Sequence, residues 1–261
     1  MLAKLMKYDL KSLLKGVLPI YLIGIVLAIV SRLFDVLVDH LSFLSIPAGF
    51  MLFFFILAMI AIPFFTLGIV VMKYYNTMVK DEAYLTHTLP VKKSTLVLSK
   101  IIDGFILMVI STIVIILCIA IRLFMIDGVF TALKEVWLSS VEVLGLSFWI
   151  IIIVAFFLGF ISFFTCVFAA ISFGQKHNNN KFIMSFVYYI AIYYINQIVS
   201  VVLLIVPVYL NKSWWNTLNS ENVSIEFING YLLVALVISL VMSAVYYFIT
   251  VNNMTKKLNL E

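Results

Sequence analysis

Six stretches of about twenty or more almost uncharged residues recur along this chain, and no other feature restricts its fold as strongly. A helix of that length crosses the hydrocarbon of a bilayer, about 30 Å thick, at about 1.5 Å per residue. Backbone groups in hydrocarbon must be satisfied within their own segment, and the runs are too long and too evenly apolar for barrel strands. A soluble globule is excluded as well, because 65% of the residues are hydrophobic and only 11% are charged, which leaves too little polar surface to cover a core. The expectation is an all-α integral membrane protein with six transmembrane helices, over residues 17–34, 46–73, 98–125, 144–173, 182–210 and 231–251. Pro63 and Pro207 fall inside long spans and predict kinks there.

Charge sets the orientation. With the N-terminus inside, the inner segments hold Lys4, Lys7, Lys11, Lys15, Lys73, Lys80, Lys92, Lys93, Lys100, Lys176, Lys181, Lys256 and Lys257. Only Arg32, Arg122, Lys134 and Lys212 fall outside, so thirteen of the 17 basic residues are inside and both termini are expected to be cytoplasmic. The formal charge of +5 does not indicate nucleic acid, since the lysines flank spans rather than forming a patch interleaved with exposed aromatics. Membrane lipid is the partner that composition implies.

The polar segments carry the remaining signals. Over residues 1–16 the lysines at 4, 7, 11 and 15 share one helical stripe, opposite Leu2, Leu5, Met6, Leu10, Leu13 and Leu14, which predicts an interfacial amphipathic helix with Asp9 out of pattern. Phe130, Leu133, Trp137, Val141 and Leu144 recur at helical spacing and predict a short outer helix. The outer loop 211–230 starts with Trp214 and Trp215, suited to the headgroup region, and is long enough to re-enter the protein. Residues 74–97 form the long inner loop. Leu89-Pro90 breaks a helix there, so the segment is expected to run as short helix, bend and fresh helix, a firm cytoplasmic knuckle between two spans.

No catalytic set is visible. His40, His87 and His177 lie in separate loops, and Cys118 and Cys166 lie in apolar runs as core residues, so no metal site is indicated. Motifs of membrane proteases and acyl-transfer enzymes are absent, as is any phosphate-binding G-x-x-x-x-G-K-[ST] loop. Asp103 lies near the inner end of the third span and one helical step from Lys100, which predicts a local ion pair. The span middles hold no charge, which counts against an ion-coupled carrier. They do hold neutral polar groups: Ser162, Thr165 and Cys166 in the fourth span, and Tyr188, Tyr189, Tyr193, Tyr194, Asn196 and Gln197 in the fifth. Such groups glue helices together, or line a path for an amphipathic substrate, with Thr165, Tyr193, Asn196 and Gln197 as the path candidates.

The order of parts, an amphipathic N-terminal helix, two spans, a helical knuckle, four spans and a long outer excursion before the last, resembles the membrane subunit of an ATP-binding-cassette (ABC) transporter of the type 2 exporter class. Asp81-Glu82-Ala83-Tyr84-Leu85-Thr86-His87-Thr88-Leu89-Pro90, followed by Lys100, is similar to an acidic, tyrosine-leucine, leucine-proline stretch in small bacterial permeases of that class, many of which have glycine at the place of Ala83. The architectural likeness covers essentially the whole chain, the motif about 20 residues. The resemblance implies a single transmembrane domain, with residues 1–16 an elbow helix, 17–73 and 98–210 the first five spans, 74–97 a coupling segment, 211–230 an outer gate, 231–251 the last span and 252–261 a cytoplasmic tail. It implies a separate ATPase subunit docked on Lys80, Asp81, Glu82, Tyr84, Leu85 and His87, and a second permease copy or a sibling. This chain would be no enzyme and bind no cofactor; ATP and Mg would sit on the partner. The implied setting is a bacterial plasma membrane, with export of an antimicrobial peptide, drug or lipid-like molecule. The competing expectation is a non-transporting sensor or immunity subunit of the same topology.

Overall fold

A computed structural model describes residues 2–38, 40–80, 82–88, 90–124, 126, 128–177, 180–210 and 225–256, except for the side chains of Leu204, Pro207 and Leu210. Asp81, Leu89, most of the outer loop (211–224) and the end of the tail lie outside the described residues. The described chain is helical: α1 (Leu2–Val38), α2 (Ser45–Met78), α3 (Ala83–Thr88), α4 (Lys93–Leu123), α5 (Val129–Gly174), α6 (Lys181–Leu210) and α7 (Ile225–Lys256). All but α3 are long and apolar enough to cross a membrane, which makes six candidate spans.

One boundary differs from the sequence expectation. No break separates an amphipathic helix over 1–16 from the first span: α1 runs unbroken for 37 residues and passes through Pro19, a length of about 55 Å. Nothing at Gly16-Val17 stops a helix, and the amphipathic stripe simply continues the same cylinder. Pro63 lies inside α2, within a long span as expected. By contrast, the helix expected over 130–144 is present as the first part of α5 and is set off from the rest of α5 at Gly145, whose φ of 77° and ψ of 154° interrupt the helical path. Glycine reaches this conformation without a Cβ clash.

The chain packs as two units. The first comprises Met1–Asn76 and Leu98–Lys134. Ala28, Phe55 and Cys118 form its core, with Ile25, Met59, Val114 and Ile121 packed around them. Gly24 permits the close approach of α1 and α2, since a Cβ there would lie 2.6 Å from Ile62 Cδ1. A buried polar knot joins three helices: Tyr21 Oη lies 2.6 Å from Ser111 Oγ and 3.2 Å from Thr66 Oγ1, and Ser111 donates to Thr66 at 2.9 Å. In an apolar environment such a closed set keeps all three hydroxyls satisfied and fixes the helix register. Arg122 pairs with Asp35, and Arg32 Nε donates to the Phe124 carbonyl at 3.1 Å.

The first unit also corrects the expected Lys100–Asp103 pair. Lys100 Nζ instead donates to Asp9 Oδ2 at 2.8 Å, joining α4 to the residue of α1 that broke the amphipathic pattern. Asp103 is fully buried and, among the described residues, neither of its carboxylate oxygens has a hydrogen-bond partner.

The second unit comprises Thr77–Val97 and Glu135–Glu261. Cys166, Ala169, Ala170, Ile192 and Tyr246 form its core, flanked by Phe173, Tyr188, Tyr189, Met242 and Ile249. Small residues let α5 and α6 approach closely near their connection, where a Cβ on Gly174 would fall 2.6 Å from the Ser185 backbone nitrogen. Asn253 Nδ2 donates to Ser172 Oγ at 3.0 Å and ties α7 to α5. Both cysteines are buried free thiols.

Candidate functional site

Two features of the second unit bear on function. The first is the knuckle. Its helix α3 spans only six residues, started by Ala83 N–H donating to the Lys80 carbonyl at 3.0 Å and continued by Thr86 N–H to the Glu82 carbonyl at 3.0 Å. Thr86 Oγ1 and Thr88 Oγ1 donate to the Glu82 and Leu85 carbonyls at 2.9 Å each. Isolated helices this short are unstable in water, so tertiary bonds must hold it.

His87 supplies them. Lys93 Nζ, which has only donors, lies 2.7 Å from His87 Nδ1 and 3.0 Å from the His87 carbonyl, while His87 Nε2 lies 3.0 Å from the Met78 carbonyl at the end of α2. One neutral tautomer satisfies both contacts: Nδ1 accepts from lysine and Nε2–H donates to the carbonyl. Burial pulls the His87 pKa below its ordinary value and the Lys93 charge adds to this, with the bond to Met78 opposing. The ring thereby clamps α3 between the end of α2 and the first turn of α4. Ala83 is buried on the same helix, whereas Tyr84 and Leu85 are each 70% exposed and Lys80 and Glu82 are exposed beside them. Of the six residues expected at a docking surface, Tyr84, Leu85, Lys80 and Glu82 are presented outward, His87 is a half-buried positioning residue, and Asp81 lies outside the described residues.

The second feature is a groove of about 240 Å³ among α5, α6 and α7. Its polar side is a network: Tyr246 Oη donates to Asn196 Oδ1 at 2.5 Å, Ser162 and Ser243 hydroxyls are 2.7 Å apart, and Ser243 donates to the Ser239 carbonyl at 2.7 Å. Among the described residues Asn196 Nδ2 makes only a long contact of 3.9 Å with Cys166 Sγ. Of the four path candidates, Asn196 lines this groove. Thr165 is buried, with its hydroxyl spent on the Ile161 and Ser162 carbonyls, while Tyr193 and Gln197 are exposed on α6 outside the groove. The sequence reading missed Ser239, Ser243 and Tyr246. Their signal was legible, because they recur at i, i+4 and i+7 on one stripe of an apolar span.

The two features share a helix. Tyr246 serves the groove, and its neighbour Tyr247 donates to the Ser94 carbonyl in the first turn of α4 at 3.1 Å, next to Lys93 of the knuckle. Comparisons with protein-family models, with curated proteins and with solved structures found no match to this chain.

Proposed function

We propose that the chain is the permease subunit of an ATP-driven ABC exporter, a multi-pass protein of a bacterial plasma membrane that moves an amphipathic molecule outward using a separate ATPase subunit. The observation that carries this reading is the knuckle: an exposed tyrosine-leucine pair on a six-residue helix clamped by His87 and Lys93. A surface that a partner pushes on must be exposed at its tip and firm at its base, and this one is both. The lysine bias supports placing that tip in the cytoplasm, with both termini. On this reading residues 1–16 stand at the inner interface as the elbow. ATP and Mg sit on the partner, and a second copy or a sibling permease completes the pathway. Partner closure on ATP pulls the knuckles and rocks the spans.

Extraction in mild detergent through a tag on Glu261 tests the proposal. A stoichiometric P-loop protein with ATPase activity is expected to co-purify, and to be lost with Tyr84→Ala or Glu82→Arg while this chain stays in the membrane. Recovery of the chain without an ATPase in several detergents would overturn the proposal in favour of a sensor or immunity subunit.

A further inference from the structure

We infer that the groove among α5, α6 and α7 is a binding site for an uncharged, lipid-like amphiphile, whose hydroxyl or amide head bonds Asn196, Ser200 and Tyr231 while its apolar body lies along Val199, Leu203 and Ile238.

Three observations lead there. Among the described residues the lining contains seven hydroxyl- or amide-bearing residues of thirteen and no lysine, arginine, aspartate or glutamate. An ionic head entering it would lose its hydration with no countercharge to replace it, whereas a hydroxyl or amide exchanges water for protein partners at little net loss. Spare bonding capacity is the second observation. If the polar groups served only to join helices, they would be spent on one another, as Ser162 and Ser243 are, or on their own helix backbone, as Ser239 is on the Leu236 carbonyl. Yet Ser200 and Tyr231 have no hydrogen bond among the described residues, and Asn196 Nδ2 reaches only a sulfur at 3.9 Å. Ser200 is exposed and Tyr231 and Asn196 are half-buried, so these open or weakly used donors stand where an incoming acceptor can reach them. Size is the third: about 240 Å³ holds the equivalent of about eight water molecules, enough for a head and the first part of a chain but not for a folded peptide.

This inference names the ligand class of the path in the proposed exporter, and depends on that proposal for the ligand's fate but not for its binding. The test therefore uses the full chain alone, in phosphatidylcholine nanodiscs without an ATPase. A monoacylglycerol with a diazirine in its chain is the probe, adducts are mapped by mass spectrometry, and dodecylglycerol, dodecyl phosphate and dodecyltrimethylammonium compete at equal chain length. Expected are adducts on α6 and α7 near Ser200 and Tyr231, displaced by the glycerol ether and not by the two ionic amphiphiles. The double variant Ser200→Ala, Tyr231→Phe breaks no hydrogen bond among the described residues, so it should fold normally and lose about tenfold in labelling, the effect of one or two hydrogen bonds. Equal displacement by an ionic competitor, or adducts spread equally over exposed Ile198 and Val237 and unchanged in the double variant, would overturn the inference. Selective labelling without any co-purifying ATPase would leave the site standing and remove the exporter. Indiscriminate labelling alongside a bound ATPase would remove the site alone.

Discussion

Lys100 stands three residues before Asp103 yet bonds Asp9, on another helix. The pair is largely buried, with side chains 8% and 18% exposed. Lys100→Met should therefore cost about 3–5 kcal/mol in thermal unfolding, because it strands Asp9 beside a second buried carboxyl group. Asp103→Asn should be neutral or stabilising in the same measurement, since a neutral amide avoids the cost of burying a carboxylate without a partner. His87 makes a different kind of contact, outside the spans. Its folded pKa lies below the ordinary 6.5, so the clamp is fully present above that pH and is lost as the pH falls below it. Protonation removes the acceptor that Lys93 uses and sets two cations side by side. Hydrogen exchange over the knuckle should rise on going from pH 8 to pH 5. His87→Gln, which keeps one donor and one acceptor, should abolish that rise, while His87→Ala should open the knuckle at every pH at a cost of about 1–2 kcal/mol. In the sequence His87 stood as one of six residues expected at a docking surface; its inward role depends on a carbonyl nine residues back and a lysine six residues on, which no helical spacing reveals.

Among the elements, the apolar spans were legible because length and hydropathy decide them, and their ends shifted where the sequence offers no stop. The amphipathic stripe over 1–16 suggested a separate helix, but stripe and span belong to one cylinder, and what the stripe encodes includes the packing of Asp9 against α4. Glycine marks the breaks and approaches that patterning alone misses. Gly145→Ala places a Cβ at φ 77° and should destabilise the join between the outer helix and its span by about 1–2 kcal/mol. Gly174→Ala drives a methyl into the Ser185 backbone and should cost about 1–3 kcal/mol, a loss of thermal stability that Ser185→Gly would not relieve because the clash includes main-chain atoms. The groove was half legible: Asn196 stood out as an amide in an apolar span, but which stripe of α7 faces it follows from helix pairing, and pairing is not written in the local pattern of either helix.

For the whole molecule, lysine asymmetry is the coarsest signal, and it is what supports placing the knuckle on the cytoplasmic side. A cysteine placed at Tyr84 should react with a membrane-impermeant maleimide only after permeabilisation, and one placed at Glu135 should react in intact cells; both native thiols are buried and should stay silent. The fold thus joins a groove of neutral polar groups to a clamped, exposed knuckle through adjacent residues of α7, Tyr246 and Tyr247. In the proposed exporter a partner ATPase pushes on that knuckle. Photocrosslinking from position 84 in native membranes addresses it most directly, with Phe64 on α2, equally 70% exposed, as the control position. One dominant adduct is expected from position 84, to a P-loop ATPase, and none to that protein from position 64. No ATPase adduct at 84, or the same adducts from both positions, would contradict it.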